Sequence, residues 1–189
     1  HYQPQADTLS GRLCGAEALA RWHCGKYGDV SPGEFIPLME QSGLIVPFGQ
    51  WILSHGMAQC LEWRRSRPDF QISVNLSYIQ LSQGDFISFL RTALEENSLD
   101  PSRLIMELTE TYLAKAEEDT LRLIAQMKEL GVKIAMDDFG VGYSSLFSLK
   151  SIPVDVVKID RRFVKGITSE PFNATFIRSI TDLCHDVGR

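Results

Sequence analysis

Short apolar runs alternate with longer stretches of helical periodicity along the whole chain. The runs Cys14–Trp22, Gln71–Leu76, Leu104–Leu108, Val132–Met136 and Val154–Ile159 read as strands. Between them, Phe35–Ser42, Gly49–Arg65, Phe86–Glu96, Asp119–Leu130, Ser145–Ser151 and Asn173–Val187 carry apolar residues at helical spacing. That order predicts βα units and a mainly parallel sheet. Repeats, low-complexity tracts and linker-like runs are absent from the sequence.

A chain of 189 residues, 44% hydrophobic and 23% charged, suffices for one substantial core and one domain. A formal charge of −5 offers no basic face for long nucleic acid. Small phosphorylated ligands stay open, because a bound divalent cation reverses the field of an acidic pocket. Cys14, Cys24, Cys60 and Cys184 have no metal-knuckle or CxxC spacing, and free thiols are expected. With neither a bilayer-length apolar segment nor a signal-peptide pattern, the domain is expected to be cytoplasmic and to make no membrane contact. The opening His1-Tyr2-Gln3-Pro4 already reads as structure, so the chain is expected to be a piece of a longer protein.

Several polar residues are explained by local structure. Ser31-Pro32-Gly33-Glu34 has the order of a capping box in front of Phe35, which makes Glu34 a cap. Asp100-Pro101 reads as a turn and Leu130-Gly131 as a helix C-cap. The run Lys115–Asp119 reads as a solvated helix start, and Arg64-Arg65-Ser66-Arg67 as a helix C-terminus facing its own dipole.

Packing does not require the pattern that remains. Asn75 closes Ile72-Ser73-Val74, Glu107 closes Leu104-Ile105-Met106, Asp137 and Asp138 close Ile134-Ala135-Met136, and Lys158 follows Val156-Val157. In a β/α barrel the C-terminal strand ends form the active face. Carboxylates buried there cost several kcal/mol unless they share a partner, and oxygen donors of this kind suit magnesium or manganese. Any one of these residues, taken singly, also reads as a turn former or cap. Adjacent carboxylates point to opposite faces unless the strand breaks, and Phe139-Gly140-Val141-Gly142 is the expected break.

These residues also carry a family resemblance. Glu17-Ala18-Leu19, within Gly15–Trp22, resembles the signature tripeptide of the EAL-domain cyclic di-GMP phosphodiesterases. Tyr2-Gln3-Pro4, Phe35-Ile36-Pro37, Val74-Asn75-Leu76-Ser77, Glu107-Leu108-Thr109-Glu110, Asp137-Asp138-Phe139-Gly140, Gly142-Tyr143-Ser144-Ser145-Leu146 and Lys158-Ile159-Asp160 resemble the family's blocks in order. The resemblance spans residues 1–189 and implies an α/β, TIM-like (β/α) barrel, truncated before its last two strands.

It further implies hydrolysis of cyclic di-GMP to linear pGpG with one or two ions of Mg2+ or Mn2+. Glu17, Asn75, Glu107 and Asp137 match the first metal site, with Asp137 bridging to a second metal held by Asp138. Two metals close together activate a water and stabilise charge on the attacked phosphate. Lys158 matches the residue that orients this water or neutralises the transition state. Arg21 matches a phosphate-binding position, and Gln3 and Leu19 line the ligand. Glu110 is implied to anchor the loop from Phe139 to Ser145, while its position also suits a first-turn helix carboxylate. Asp160 either ties the site to that loop or pairs with Arg161 or Arg162 at the surface. The family also implies a homodimer and flanking sensor or cyclase-like domains.

Two departures from the family stand out. Val141 occupies a position where the family usually carries threonine or alanine, so a hydroxyl contact is missing from the loop. The sequence ends at Arg189, ahead of the family's later glutamate and its glutamine and Gly-Tyr block. Uncovered strand edges are then expected to be filled by further chain or by a second copy, and a chain ending there is expected to bind the second metal weakly. Two other functions remain at this point: a non-catalytic cyclic di-GMP receptor, and a metal-free glycoside hydrolase using carboxylates such as Glu17 and Glu107.

Overall fold

The computed structural model describes residues 1–82, 85–141, 149 and 152–189. Its main sheet has the order β1 (Tyr2–Ala6), β2 (Leu13–Ala18), β5 (Gln71–Asn75), β6 (Leu104–Thr109), β7 (Lys133–Phe139) and β8 (Val156–Ile159). β1 pairs antiparallel with β2, and every later pairing is parallel. A separate hairpin joins β3 (Trp22–Cys24) to β4 (Gly28–Val30). The helices are α1 (Pro32–Ser42), α2 (Ile45–Arg64), α3 (Tyr78–Ser82), α4 (Phe86–Glu96), α5 (Glu110–Leu113), α6 (Glu118–Glu129), α7 (Arg161–Val164) and α8 (Pro171–Asp186). The result is an α/β fold whose parallel strands curl into half of a barrel, the architecture expected.

Register divides the strand residues between two faces. Ala16, Ala18, Ile72, Val74, Leu104, Met106, Leu108, Ile134 and Met136 alternate onto the outer face, and all are buried in the core. Each of the larger side chains among them contributes about 2 kcal/mol relative to exposure, and each alanine less than about 1 kcal/mol. Buried residues of the surrounding helices complete that core, among them Leu53, Met57, Leu90, Ile124 and Ile180. The alternate positions, on the inner face, carry Gly15, Glu17, Ser73, Asn75, Glu107, Ala135 and Asp137, mostly small or polar, with Ile105 as a buried apolar floor beneath them.

The local readings hold in the structure. Ser31 N donates to Glu34 Oε2 at 3.3 Å in front of α1. Asp100 Oδ1 accepts from Ser102 N at 3.0 Å. Gly131 takes φ 92° immediately after α6, which favours glycine.

Some boundaries differ. The strand expected over Cys14–Trp22 is two elements, because β2 ends at Ala18 and Trp22 opens the hairpin. β1 was not anticipated, since Pro4 and two glutamines break any apolar alternation. Helix α2 begins at Ile45, before the expected Gly49, because Pro47 is tolerated in a first turn. The last strand begins at Val156 rather than Val154. Of the helix expected over Ser145–Ser151, only Leu149 is described, and it is buried. The block Gly142–Leu146 lies outside the described residues.

Candidate active site

The inner-face register builds the site as a staircase. Glu17 lies level with Ser73; Asn75 lies level with Glu107, which pairs with Ala135; Asp137 stands two residues further along β7. Residues two apart share a face, so four strands deliver oxygen donors to one end of the sheet. One oxygen from each of Glu17, Glu107 and Asp137 lies within 4.8 Å of the others. Asn75 Nδ2 donates to Glu17 Oε1 at 2.8 Å, which fixes that carboxylate.

Lys158 enters the same space from β8, where it faces inward in register with β7. Its Nζ donates to Glu17 Oε2 at 3.0 Å and to Glu107 Oε2, and it lies 3.3 Å from Asp137 Oδ1. Burial alone would lower its pKa, but the carboxylates of Glu107, Asp137 and Glu17 outweigh burial and hold it above the ordinary lysine value. Burial pushes Glu107 up to about 7 against the pull of Lys158, with Glu17 and Asp137 adding to the rise.

Asp138 behaves differently from its neighbour. Met136 pairs with Val157 and Phe139 with Ile159, so β7 carries one extra residue against β8. Asp138 takes φ 56° at this bulge, β7 ends at Phe139 and Gly140 follows at φ 100°, so the strand stops in the Phe139–Gly142 stretch expected, with Asp138 already turned just before it. Burial, together with the charges of Asp137 and Asp160, raises its pKa. It is not a member of the three-carboxylate cluster. Asp160 also caps α7, accepting from Arg162 N at 2.7 Å and from Arg162 Nε at 3.0 Å. Of its two anticipated roles, the pairing with Arg162 is the one the described residues contain.

Glu110 is buried at the start of α5, and its Oε2 accepts from Gly140 N at 2.9 Å. It thus holds the backbone just beyond the bulge, at the second residue of the Phe139–Ser145 loop. Leu19 and Arg21 line a groove of about 600 Å³ that also takes in Glu17, Asn75 and Asp138. Arg21 is exposed, and its Nη1 donates to Ala20 O at 2.6 Å. Gln3 stands opposite Glu17 in β1 and is not among the residues lining that groove.

Sequence reasoning overlooked the far wall of the groove. Glu40 of α1 lines it and accepts from Ser77 Oγ at 2.5 Å. Ser77 N donates in turn to Gln80 Oε1 at 3.1 Å, and Gln80 is buried against Gly49. The available signal was spacing, because Ile36 and Glu40 lie four apart on one helix face.

The residues present fit a small, hard divalent cation. Carboxylate and amide oxygens are the donors such ions prefer. Glu107 Oε1 is buried with no hydrogen-bond partner among the described residues, which leaves a lone pair for a cation. Three clustered carboxylates face one ammonium at their centre.

A family profile described as "EAL domain" matches residues 1–189. The chain is 39% identical over 184 residues to the bifunctional diguanylate cyclase/cyclic di-GMP phosphodiesterase MucR of Pseudomonas aeruginosa, covering 97% of this chain and 27% of that protein. It is 37% identical over 180 residues to the cyclic di-GMP phosphodiesterase PdeR of Escherichia coli, covering 95% of this chain and 27% of the relative. It therefore spans about a quarter of the length of these relatives. A solved structure, the PaMucR phosphodiesterase in complex with c-di-GMP, superposes with a TM-score of 0.90 at 38% identity, over 98% of this chain and 76% of that one. Among the described residues no helix is long and apolar enough to cross a membrane. Matched along its whole length by the family profile and by relatives above 30% identity, the chain belongs to the EAL domain family.

Proposed function

We propose that this chain is the greater part of a cyclic di-GMP phosphodiesterase domain, releasing linear pGpG with the help of Mg2+ or Mn2+. The observation that carries the reading is the convergence of Glu17, Glu107 and Asp137 around Lys158, with Glu107 Oε1 left without a hydrogen-bond partner among the described residues. Family membership supports the substrate, since MucR and PdeR are named for this nucleotide.

In this reading Glu17, Asn75, Glu107 and Asp137 would hold a first ion, and Asp138 together with Asp137 would offer carboxylates to a second. Bound there, divalent cations supply an activated water and neutralise charge gathering on the attacked phosphate. Lys158 holds the carboxylates together in the cation-free site and, with substrate present, places its ammonium beside the phosphate oxygens. Arg21 swings from Ala20 O to a non-bridging phosphate oxygen, as its exposure allows. Leu19 and Gln3 contact the ligand, and Glu110 steadies the Gly140 backbone. Asp160 caps α7 beside Asp138.

The same reading makes the domain cytoplasmic, a homodimer and one part of a longer signalling protein with flanking sensor or cyclase-like domains. The test is chromatographic detection of pGpG from cyclic di-GMP, with Mg2+, with Mn2+ and with a chelator, on wild type and Glu17→Ala. Cation-dependent release by wild type alone supports the enzyme. Binding of the nucleotide without release replaces it with a receptor, and release that survives the chelator overturns the metal reading.

A further inference from the structure

Gly140 occupies a position that no side chain can share. Its φ is 100°, and a Cβ there would lie 2.5 Å from Phe163 Cε2 and 3.2 Å from Phe176 Cζ. The two rings stack on each other, with centroids 4.2 Å apart and planes 23° apart, and Phe139 lies 6.5 Å from Phe176 at 18°. Phe163 comes from α7, Phe176 from α8 and Phe139 from the end of β7. Three nearly parallel rings from three elements thus back the residue that follows the bulge.

On its other side Gly140 is held by the Glu110 carboxylate. Val141 N donates to Asp138 O at 3.3 Å, closing a turn around Phe139 and Gly140, and Asp160 N donates to Phe139 O at 3.2 Å. Asp138 sits at φ 56°, a conformation that costs an aspartate of order 1 kcal/mol or more unless its surroundings enforce it. The hydrogen bond from Gly140 N alone leaves the backbone free to pivot about that contact. Ring edges against the glycine remove the pivot, because any rotation drives the backbone into Phe163.

We infer that Phe163 and Phe176 are positioning residues, wedging Gly140 against Glu110 and so holding the Asp137-Asp138 bulge in the shape that presents Asp137 to Glu17 and Glu107. This rests on the metal reading given above, and it adds two aromatic residues remote from every donor atom. It also explains why α7 and α8, which contribute no ligand, matter to the acidic strand end.

Mn2+ titration calorimetry on the full chain tests it, using wild type, Phe163→Leu, Phe176→Leu and, as a control, Ile180→Val. Ile180 is buried one turn beyond Phe176 on α8, while the atoms nearest a Gly140 Cβ belong to Phe163 and Phe176, so its truncation costs stability and leaves both rings in place. Loss of support for a ligand typically weakens metal affinity by about 10-fold or more, which is the expected effect of either phenylalanine substitution. Ile180→Val should lower the melting temperature and leave Mn2+ affinity at the wild-type value. If wild type binds Mn2+ and both leucine variants, folded by circular dichroism, bind it equally well, the positioning role is refuted and the metal site stands. Should wild type itself bind no Mn2+, the metal reading falls and takes this role with it.

Discussion

Replacing Lys158 by methionine deletes the ammonium that touches Glu17, Glu107 and Asp137 while keeping most of the side-chain volume. Breaking a buried ion pair by removing one partner costs about 3–5 kcal/mol. Two features of this site reduce that cost. The Lys158 side chain is 23% exposed and that of Glu17 15%, so water shares the burden. Glu107, already pushed up to about 7, relieves the remaining repulsion by taking a proton. A loss of about 3 kcal/mol at pH 8 is the reasonable middle, and for a chain of this size it lowers Tm by about 6–12 °C. At pH 6 the loss is smaller, because Glu107 is then largely protonated in both proteins. Saturating Mn2+ at pH 8 restores much of the Tm, since the ion substitutes for the missing charge. Thermal melts of wild type and Lys158→Met with a chelator, at the two pH values and then with Mn2+, measure all of this. Equal Tm values for the two proteins in chelator at pH 8, or one unchanging difference at both pH values, would refute the reasoning.

Three further outcomes follow from the same geometry. Because the folded pKa of Glu107 lies above its unfolded value, its contribution to stability is fully present below about pH 4.5 and is lost as pH rises through about 7. Mn2+ needs the ionised form, so cation affinity should move the opposite way and strengthen by about 10-fold or more from pH 5.5 to 7.5, read by calorimetry; a flat profile contradicts the Glu107 assignment. Asp138→Gly removes both the φ 56° strain and a carboxylate crowded by Asp137 and Asp160, so the cation-free protein should gain about 1 kcal/mol in a urea melt while hydrolysis is lost. Gly49→Ala places a Cβ 1.8 Å from Gln80 Nε2, displacing the amide that fixes Ser77, and should cost about 1–3 kcal/mol in the same melt.

The strand-end residues were legible because chemistry interrupted pattern. Glu107 follows Leu104-Ile105-Met106 and Lys158 follows Val156-Val157, where an apolar run stops on a charge that packing alone would not choose. Their convergence was not legible from spacing, because it depends on parallel register: Asn75 level with Glu107 and Asp137 one step beyond. The end of β7 was half legible. The Asp137-Asp138 pair and the glycines after it announced the end of the strand at Phe139, but the bulge itself did not show, because an aspartate at positive φ has no unique sequence signal. β1 escaped because its polar residues and Pro4 suit an edge strand, whose pairing with β2 is backbone chemistry that side-chain patterning does not record. Glu40 escaped for a similar reason, since only the approach of α1 to Ser77 turns a helix carboxylate into a wall of the groove.

Anomalous diffraction from crystals holding Mn2+ and cyclic di-GMP tests most directly whether the inner face of these strands is a divalent-cation site acting on a cyclic dinucleotide. A peak is expected about 2.1 Å from oxygens of Glu17, Asn75, Glu107 and Asp137, with a substrate phosphate oxygen on the same ion. A nucleotide bound with no peak there, and Lys158 still enclosed by the three carboxylates, would contradict it.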